Sequence, residues 1–135
     1  MDAIPETPHE VSFTRDRVAY LVRPIRAADQ AALIQAFGHL SETSRYTRFL
    51  RPIKHLTAEE ARYFTDVDHR NHEALVAIAP GGELIAVARY IRQEDPEKAE
   101  VAVTVADEWQ DRGVGSHLLH ELAARARESG ITAFV

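Results

Sequence analysis

The chain has 135 residues, 45% of them hydrophobic and 27% charged, a formal net charge of −5 and no cysteine. That length suits one folded domain with a real core; the lack of cysteine excludes thiol catalysis, disulfide staples and cysteine metal sites, and the acidic balance argues against binding nucleic-acid phosphates. No run of 18 apolar residues occurs, and Met1 to Pro8 has neither the basic start nor the apolar stretch of a secretion signal, so no membrane partner is expected and the expected location is cytoplasmic.

Residues 1–10 carry Pro5 and Pro8 among polar neighbours and read as a flexible terminus, leaving 11–135 as the domain. Glu10 to Thr14 and Arg17 to Arg23 are rich in β-branched and aromatic residues around a polar Arg15-Asp16 pair, which predicts a hairpin. Ala31, Leu33, Ile34, Ala36, Phe37 and Leu40 then recur at helical spacing and predict a helix from about Ala27 to Leu40. After the hydroxyls of Ser41 to Ser44, the residues Tyr46, Phe49 and Leu50 suggest a short helix stopped by Pro52, with Arg45, Arg48 and Arg51 on its outer face. Thr57 and Glu60 form a capping box ahead of Ala61, Tyr63 and Phe64, predicting a third helix.

The polar group Asp66, Asp68, His69 and His72 matches no calcium or zinc spacing and reads as a loop before a strand. Glu73 to Ala79, the turn Pro80-Gly81-Gly82 and Glu83 to Ile91 predict a second hairpin, and Ala99 to Val105 the next strand. Val114, Leu118, Leu122 and Ala126 repeat every four residues, widened by Leu119 and Ala123, with Gly130 where a helix-ending glycine belongs. A helix from about Gly113 to Ser129 follows, and then a strand from Ile131 to Val135. The element order gives an α/β (α+β) fold: a mixed, mostly antiparallel central sheet flanked by helices.

The chemistry concentrates where the strand ending at Val105 runs through Gln110-Asp111-Arg112-Gly113-Val114-Gly115 into that last helix. The first turn of a helix has N–H groups without intrahelical partners and a partial positive charge, so it suits a phosphate or pyrophosphate. Gly113 and Gly115 hold no side chain against the anion, while Arg112 and Ser116 offer further donors. A P-loop would need lysine after the last glycine, where Ser116 stands, and a dinucleotide fingerprint would need glycine where Leu118 stands. A lone Gly-x-Gly also serves plain strand-to-helix turns.

The longer pattern, Gln110-x-x-Gly113-x-Gly115 after a Val-x-Val strand and before a leucine-rich helix, resembles the acyl-CoA pyrophosphate loop of the GNAT N-acetyltransferases. Val18 to Arg23 before Ile25 to Asp29 is similar to that family's first strand and helix entry, Ala86 to Ala88 to its third strand, and Ser41 to Phe49 to the second-helix region of its protein-lysine branch. The resemblance implies acetyl-CoA as acyl donor, with Val103, Thr104 and Val105 binding the pantetheine arm through their backbone. It also implies that the N–H groups of Gln110, Asp111, Arg112, Gly113, Val114, Gly115 and Ser116 hold the pyrophosphate. The implied acceptor is a primary amine, protein lysine first and small amines next.

Glu100, opening the Val101 to Val105 run, matches the glutamate that opens this strand in similar lysine acetyltransferases and is the candidate general base. Solvated glutamates are also common at strand ends. The family's tyrosine acid, last helix and final strands have no counterpart before Val135, which adds two further expectations. One is a non-catalytic acyl-CoA-binding module; the other is an exposed sheet edge at Ile131 to Val135 that invites a homodimer. His117 and His120, three apart, lack a third ligand in the sequence and read as helix-surface histidines, so no metal is expected. Trp109 is expected to pack under the loop.

Overall fold

In a computed structural model, residues 10–37 and 58–135 are described. Their sheet has six strands in sequence order: β1 (Glu10–Phe13), β2 (Ala19–Pro24), β3 (His72–Ile78), β4 (Leu84–Arg92), β5 (Lys98–Val105) and β6 (Ala133–Phe134). Neighbours run antiparallel except β5 and β6, which are parallel. The helices are α1 (Gln30–Phe37), α2 (Ala58–Thr65) and α3 (Val114–Glu128). The expected mixed, mostly antiparallel sheet flanked by helices is what forms, within the family fold reported below.

Both faces of the central strands are covered, which explains why β3 and β4 read as nearly continuous apolar runs rather than alternating ones. One face packs on α3, where Leu118 and Leu122 meet Tyr20, Leu75, Ala88 and Tyr90. The other carries α1 and α2, where Leu33 and Ala61 meet Ile25, Val76 and Val87. Each Leu or Tyr at this depth contributes about 2 kcal/mol through the area it withdraws from water.

Turn chemistry sets the ends of these elements. In the first hairpin the Thr14 hydroxyl donates to Asp16 at 2.6 Å and accepts from the Val18 N–H at 2.9 Å, while Arg17 takes φ 68°. Helix α3 ends in a Schellman motif: the Gly130 N–H donates to the Arg127 carbonyl at 3.1 Å and the Ile131 N–H to that of Ala126 at 2.9 Å. Gly130 sits at φ 85°, as its predicted role requires.

Most boundaries fall within a residue or two of expectation, and three of the differences have a visible cause. The first helix opens as a 3-10 turn, Ala27–Asp29, before α1. The cause is Asp29, whose buried carboxylate accepts from the Arg26 N–H at 2.9 Å and from both Arg23 guanidinium nitrogens at 2.8 and 2.7 Å. His72 belongs to β3 rather than to the loop before it, because Asp68 Oδ1 collects the N–H groups of Arg70, Asn71 and His72 and turns the chain into the strand. The last strand is shorter than Ile131 to Val135, since Ile131 completes the helix cap instead. The predicted short helix near Tyr46, its arginines and Thr57 of the capping box lie outside the described residues.

Candidate active site: a strand end beside a helix N-terminus

β5 is paired along its whole length with β4 but with β6 only at Lys98 and Ala99. From Val101 to Val105 the strand partner of β5 among the described residues is β4. Strand geometry decides which backbone groups face away from it. The Ala99 carbonyl accepts from Val135 on the β6 side, and the Ala106 N–H donates to Ile85 on the β4 side. Backbone groups alternate in direction along a strand. The backbone groups of Val101, Val103 and Val105 therefore point away from β4, whereas those of Thr104 are directed at β4. Of the three residues expected to bind through their backbone, Val103 and Val105 direct it away from β4, as Val101 does, and Thr104 directs it at β4. The Val105 carbonyl already accepts from the Gln110 side chain at 3.0 Å, leaving its N–H for a ligand.

The end of β5 borders a cleft of about 370 Å³ lined by Val103, Thr104, Val105, Trp109, Gln110, Asp111, Gly113, Gly115, Ser116 and Arg15. Its floor is the start of α3. The first intrahelical donor is the His117 N–H, to the Gly113 carbonyl at 3.1 Å. The N–H groups of Val114, Gly115 and Ser116 precede it and have no partner in the helix. Asp111 at φ 62° and Gly113 at φ 94° flank a residue of ordinary φ, an alternation that curves the backbone into a concave anion nest. Gly115 lets α3 approach β5: a Cβ there would sit 3.3 Å from a Val105 methyl and 3.5 Å from a Val103 methyl. The Val114 side chain is fully buried in the core, so only its backbone faces the loop.

The two arginines differ from expectation. Arg112 is turned from the cleft, pairing with Asp16 through two contacts of 2.9 and 3.2 Å and lying over the Trp109 ring at 4.5 Å. The Arg112 guanidinium, with the Thr14 hydroxyl, holds the Asp16 carboxyl down at about 2. Arg15, from the tip of the first hairpin, instead borders the cleft, with its own N–H donating to the Arg112 carbonyl at 3.1 Å. No local sequence signal marks Arg15, because hairpin and loop are 96 residues apart.

Val101 and Val105 pack on the α3 face, so Glu100, Ala102 and Thr104 point to the α1 and α2 face. Glu100 is half-buried there, and the register places it in one row with Ile91 and His72. Roughly 10 Å of strand separates it from Val103. Beside this row, buried Arg89 donates to the Phe64 carbonyl at 2.9 Å and to His72 Nε2 at 2.8 Å, and lies over the Phe64 ring at 4.6 Å. Burial, with the neighbouring Arg89 charge, pushes His72 down to about 4 and keeps it neutral; burial also lowers Arg89 to about 10, still protonated at neutral pH.

A glycine loop at a helix N-terminus beside the edge of β5 has the chemistry to suit an extended, amide-bearing phosphate ester. The acetyltransferase (GNAT) family model matches residues 38–135, and the chain belongs to that family. It is 32% identical to an acetyltransferase of Pseudomonas aeruginosa over 131 residues, covering 95% of this chain and 70% of that protein. It is also 32% identical to acetyltransferase Pat of Mycolicibacterium smegmatis, covering 95% of this chain and 38% of that longer protein. Among solved structures it is similar to the GNAT domain of S. lividans PAT, with 37% identity, a TM-score of 0.86 and coverage of 96% of this chain and 79% of that one. Membership implies acetyl transfer from acetyl-CoA. No helix among the described residues is long and apolar enough to cross a membrane.

Proposed function

We propose that this chain transfers an acetyl group from acetyl-CoA to a primary amine, with protein lysine as the favoured acceptor. The observation that carries the reading is the cleft that joins the β5 residues Val103 to Val105 to the start of α3, where the N–H groups of Val114, Gly115 and Ser116 have no partner in the helix. An extended arm bearing amides fits the edge as an added strand would, and a pyrophosphate fits the helix start. Gly113 and Gly115 keep that start free of side chains, so the residues present fit the donor.

The thioester supplies an activated acyl carbon; the chain supplies position, polarity and a proton acceptor. A lysine-like amine is protonated at neutral pH and must lose a proton before it can attack. Glu100 accepts that proton. The N–H of Val101 or Val103 donates to the carbonyl oxygen as negative charge develops on it. The C–N bond forms as the C–S bond breaks, and the thiolate leaves to take a proton. No residue of the chain is acylated on this route. Glu100 lies on the sheet face opposite α3, so the acceptor approaches from the α1 and α2 side.

Support for lysine comes from the similarity of residues 41–49 to the protein-lysine branch, from the likeness to the Pat proteins and from the net charge of −5, which favours cationic acceptors. Mass spectrometry of a panel of amines and proteins after incubation with acetyl-CoA tests the proposal. Acetylated lysine is expected. Tight acetyl-CoA binding without any acetylated product would favour the acyl-CoA-binding module instead.

A further inference from the structure

On the side of α3 turned away from the cleft, His117 meets residues distant in sequence. Among the described residues, Glu10 of β1 and His117 and Glu121, one turn apart on α3, bring three ligand atoms within 4.8 Å of one another. His117 Nε2 is 3.6 Å from Glu10 Oε2 and 3.8 Å from Glu121 Oε2. Both separations exceed a hydrogen bond, so two carboxylates face one ring nitrogen across a gap. An imidazolium held simply as an ion pair would draw one of them to about 2.8 Å. Three ligands on a tetrahedral zinc-type ion, with bonds of about 2.1 Å, stand about 3.4 Å apart, a few tenths of an ångström inside the two histidine–carboxylate separations, and the ligand atoms of Glu10 and Glu121 lie within 4.8 Å of each other.

The rest of the imidazole is already oriented for this. Its Nδ1 lies 2.8 Å from the hydroxyl of Tyr20, a buried residue whose ring meets the histidine edge-on at 6.0 Å. When Nδ1 donates to that hydroxyl, the lone pair of Nε2 points at the gap, as the outer contacts of metal-bound histidines arrange it. The Ser12 hydroxyl donates to Glu10 Oε2 at 3.2 Å. A hollow of about 110 Å³ adjoins the two carboxylates, bordered by Glu10, Glu121, Arg125 and Arg23, the last held by Asp29 at 2.7 Å. Arg125 itself is held by Glu73 at 3.1 Å.

We propose that Glu10, His117 and Glu121 form a binding site for a divalent transition-metal ion of the zinc type, with water completing its coordination. One imidazole and two carboxylates suit such an ion better than calcium or magnesium, which favour all-oxygen sets. The ion clamps β1 to α3. The same hairpin carries Arg15 and Asp16 onto the glycine loop, so the clamp braces the anion site from behind without touching the reacting groups. This inference is independent of which amine is acetylated.

The test is calorimetric titration of Zn²⁺ into the full chain after chelator treatment, with folding of each variant checked by circular dichroism in chelator. The wild type is expected to take up one ion per chain and to melt at a higher temperature with zinc present. His117→Ala should bind at least about 100-fold more weakly, and Glu121→Gln provides the same comparison should the alanine variant fold poorly. Tyr20→Phe, which keeps all three ligands, should bind about tenfold more weakly through loss of the outer contact. His120→Ala should bind as the wild type does. Absence of uptake by the wild type at millimolar zinc, or uptake by Glu121→Gln and His117→Ala as tight as that of the wild type, would overturn the site.

Discussion

Replacing Gly113 by alanine isolates the backbone conformation on which the anion loop depends. Gly113 sits at φ 94° and ψ −3° as the cap of α3, a region that side-chain-bearing residues avoid at about 1–2 kcal/mol. Space is not the obstacle, because the added Cβ would lie 3.7 Å from Arg15 Nε and 3.8 Å from its Cγ, ordinary contact distances. The loss of chain entropy in the unfolded state offsets part of the penalty, about 0.4–1 kcal/mol, leaving a net cost near 1 kcal/mol. If the loop holds its shape, that cost appears as a Tm lower by roughly 3–6 °C. If residue 113 relaxes to negative φ, the N–H groups behind it turn from the cleft and the cost moves to ligand binding, about fivefold in Kd. Gly130→Ala is the control, since Gly130 has φ 85° at the other end of the same helix and takes no part in the cleft. Thermal melts and acetyl-CoA calorimetry on both variants separate the effects. The reasoning fails if Gly113→Ala changes neither quantity, or if Gly130→Ala weakens binding as much as Gly113→Ala does.

Further expectations follow from the same structure. Glu100→Gln should lower kcat/KM by about 10²–10⁴-fold with acetyl-CoA affinity retained, and the deficit should shrink at high pH as the amine loses its own proton; an unchanged pH-rate profile would remove Glu100 as base. Arg15→Ala should weaken acetyl-CoA binding by roughly tenfold and flatten its salt dependence, whereas equal salt slopes would place Arg15 outside the anion site. Leu118→Ala empties a fully buried position between α3 and the sheet and should cost about 2–5 kcal/mol in urea unfolding; a cost below 1 kcal/mol would mean the core is not packed as described. His72, held down at about 4 against 6.5 when unfolded, is neutral in the fold where the unfolded chain takes up a proton. Its contribution is full above pH 6.5 and is lost as pH falls toward 4, on the order of 1–2 kcal/mol after allowance for partial exposure. His72→Gln should lose correspondingly less stability than the wild type between pH 7 and 4.5.

The parts of this molecule legible in its sequence are those whose causes are local. The four-residue apolar repeat of α3, Gly130 at its end, and the glycine turn between β3 and β4 each rest on neighbours within a few positions, and the structure places them where the pattern does. The turn of the glycine loop into α3 was legible for the same reason. What escaped depends on residues meeting across the chain. Arg112 looks like a phosphate donor until Asp16 arrives from the first hairpin, and Arg15 has no local mark at all. Thr104 belongs to the expected run, yet the phase of pairing directs its backbone at β4 and that of Val101 away from it. His117 lacked a third ligand in sequence because Glu10 stands 107 positions before it, and it was Glu121 rather than His120 that shared its face.

The most direct test of the central claim is backbone amide NMR of the labelled chain during titration with acetyl-CoA. The account predicts that the amides of Gly113, Val114, Gly115 and Ser116, and of Val101, Val103 and Val105, shift together and saturate at one ligand per chain, while that of Thr104 moves less. Saturable binding that leaves the Gly113 to Ser116 amides unmoved would contradict it.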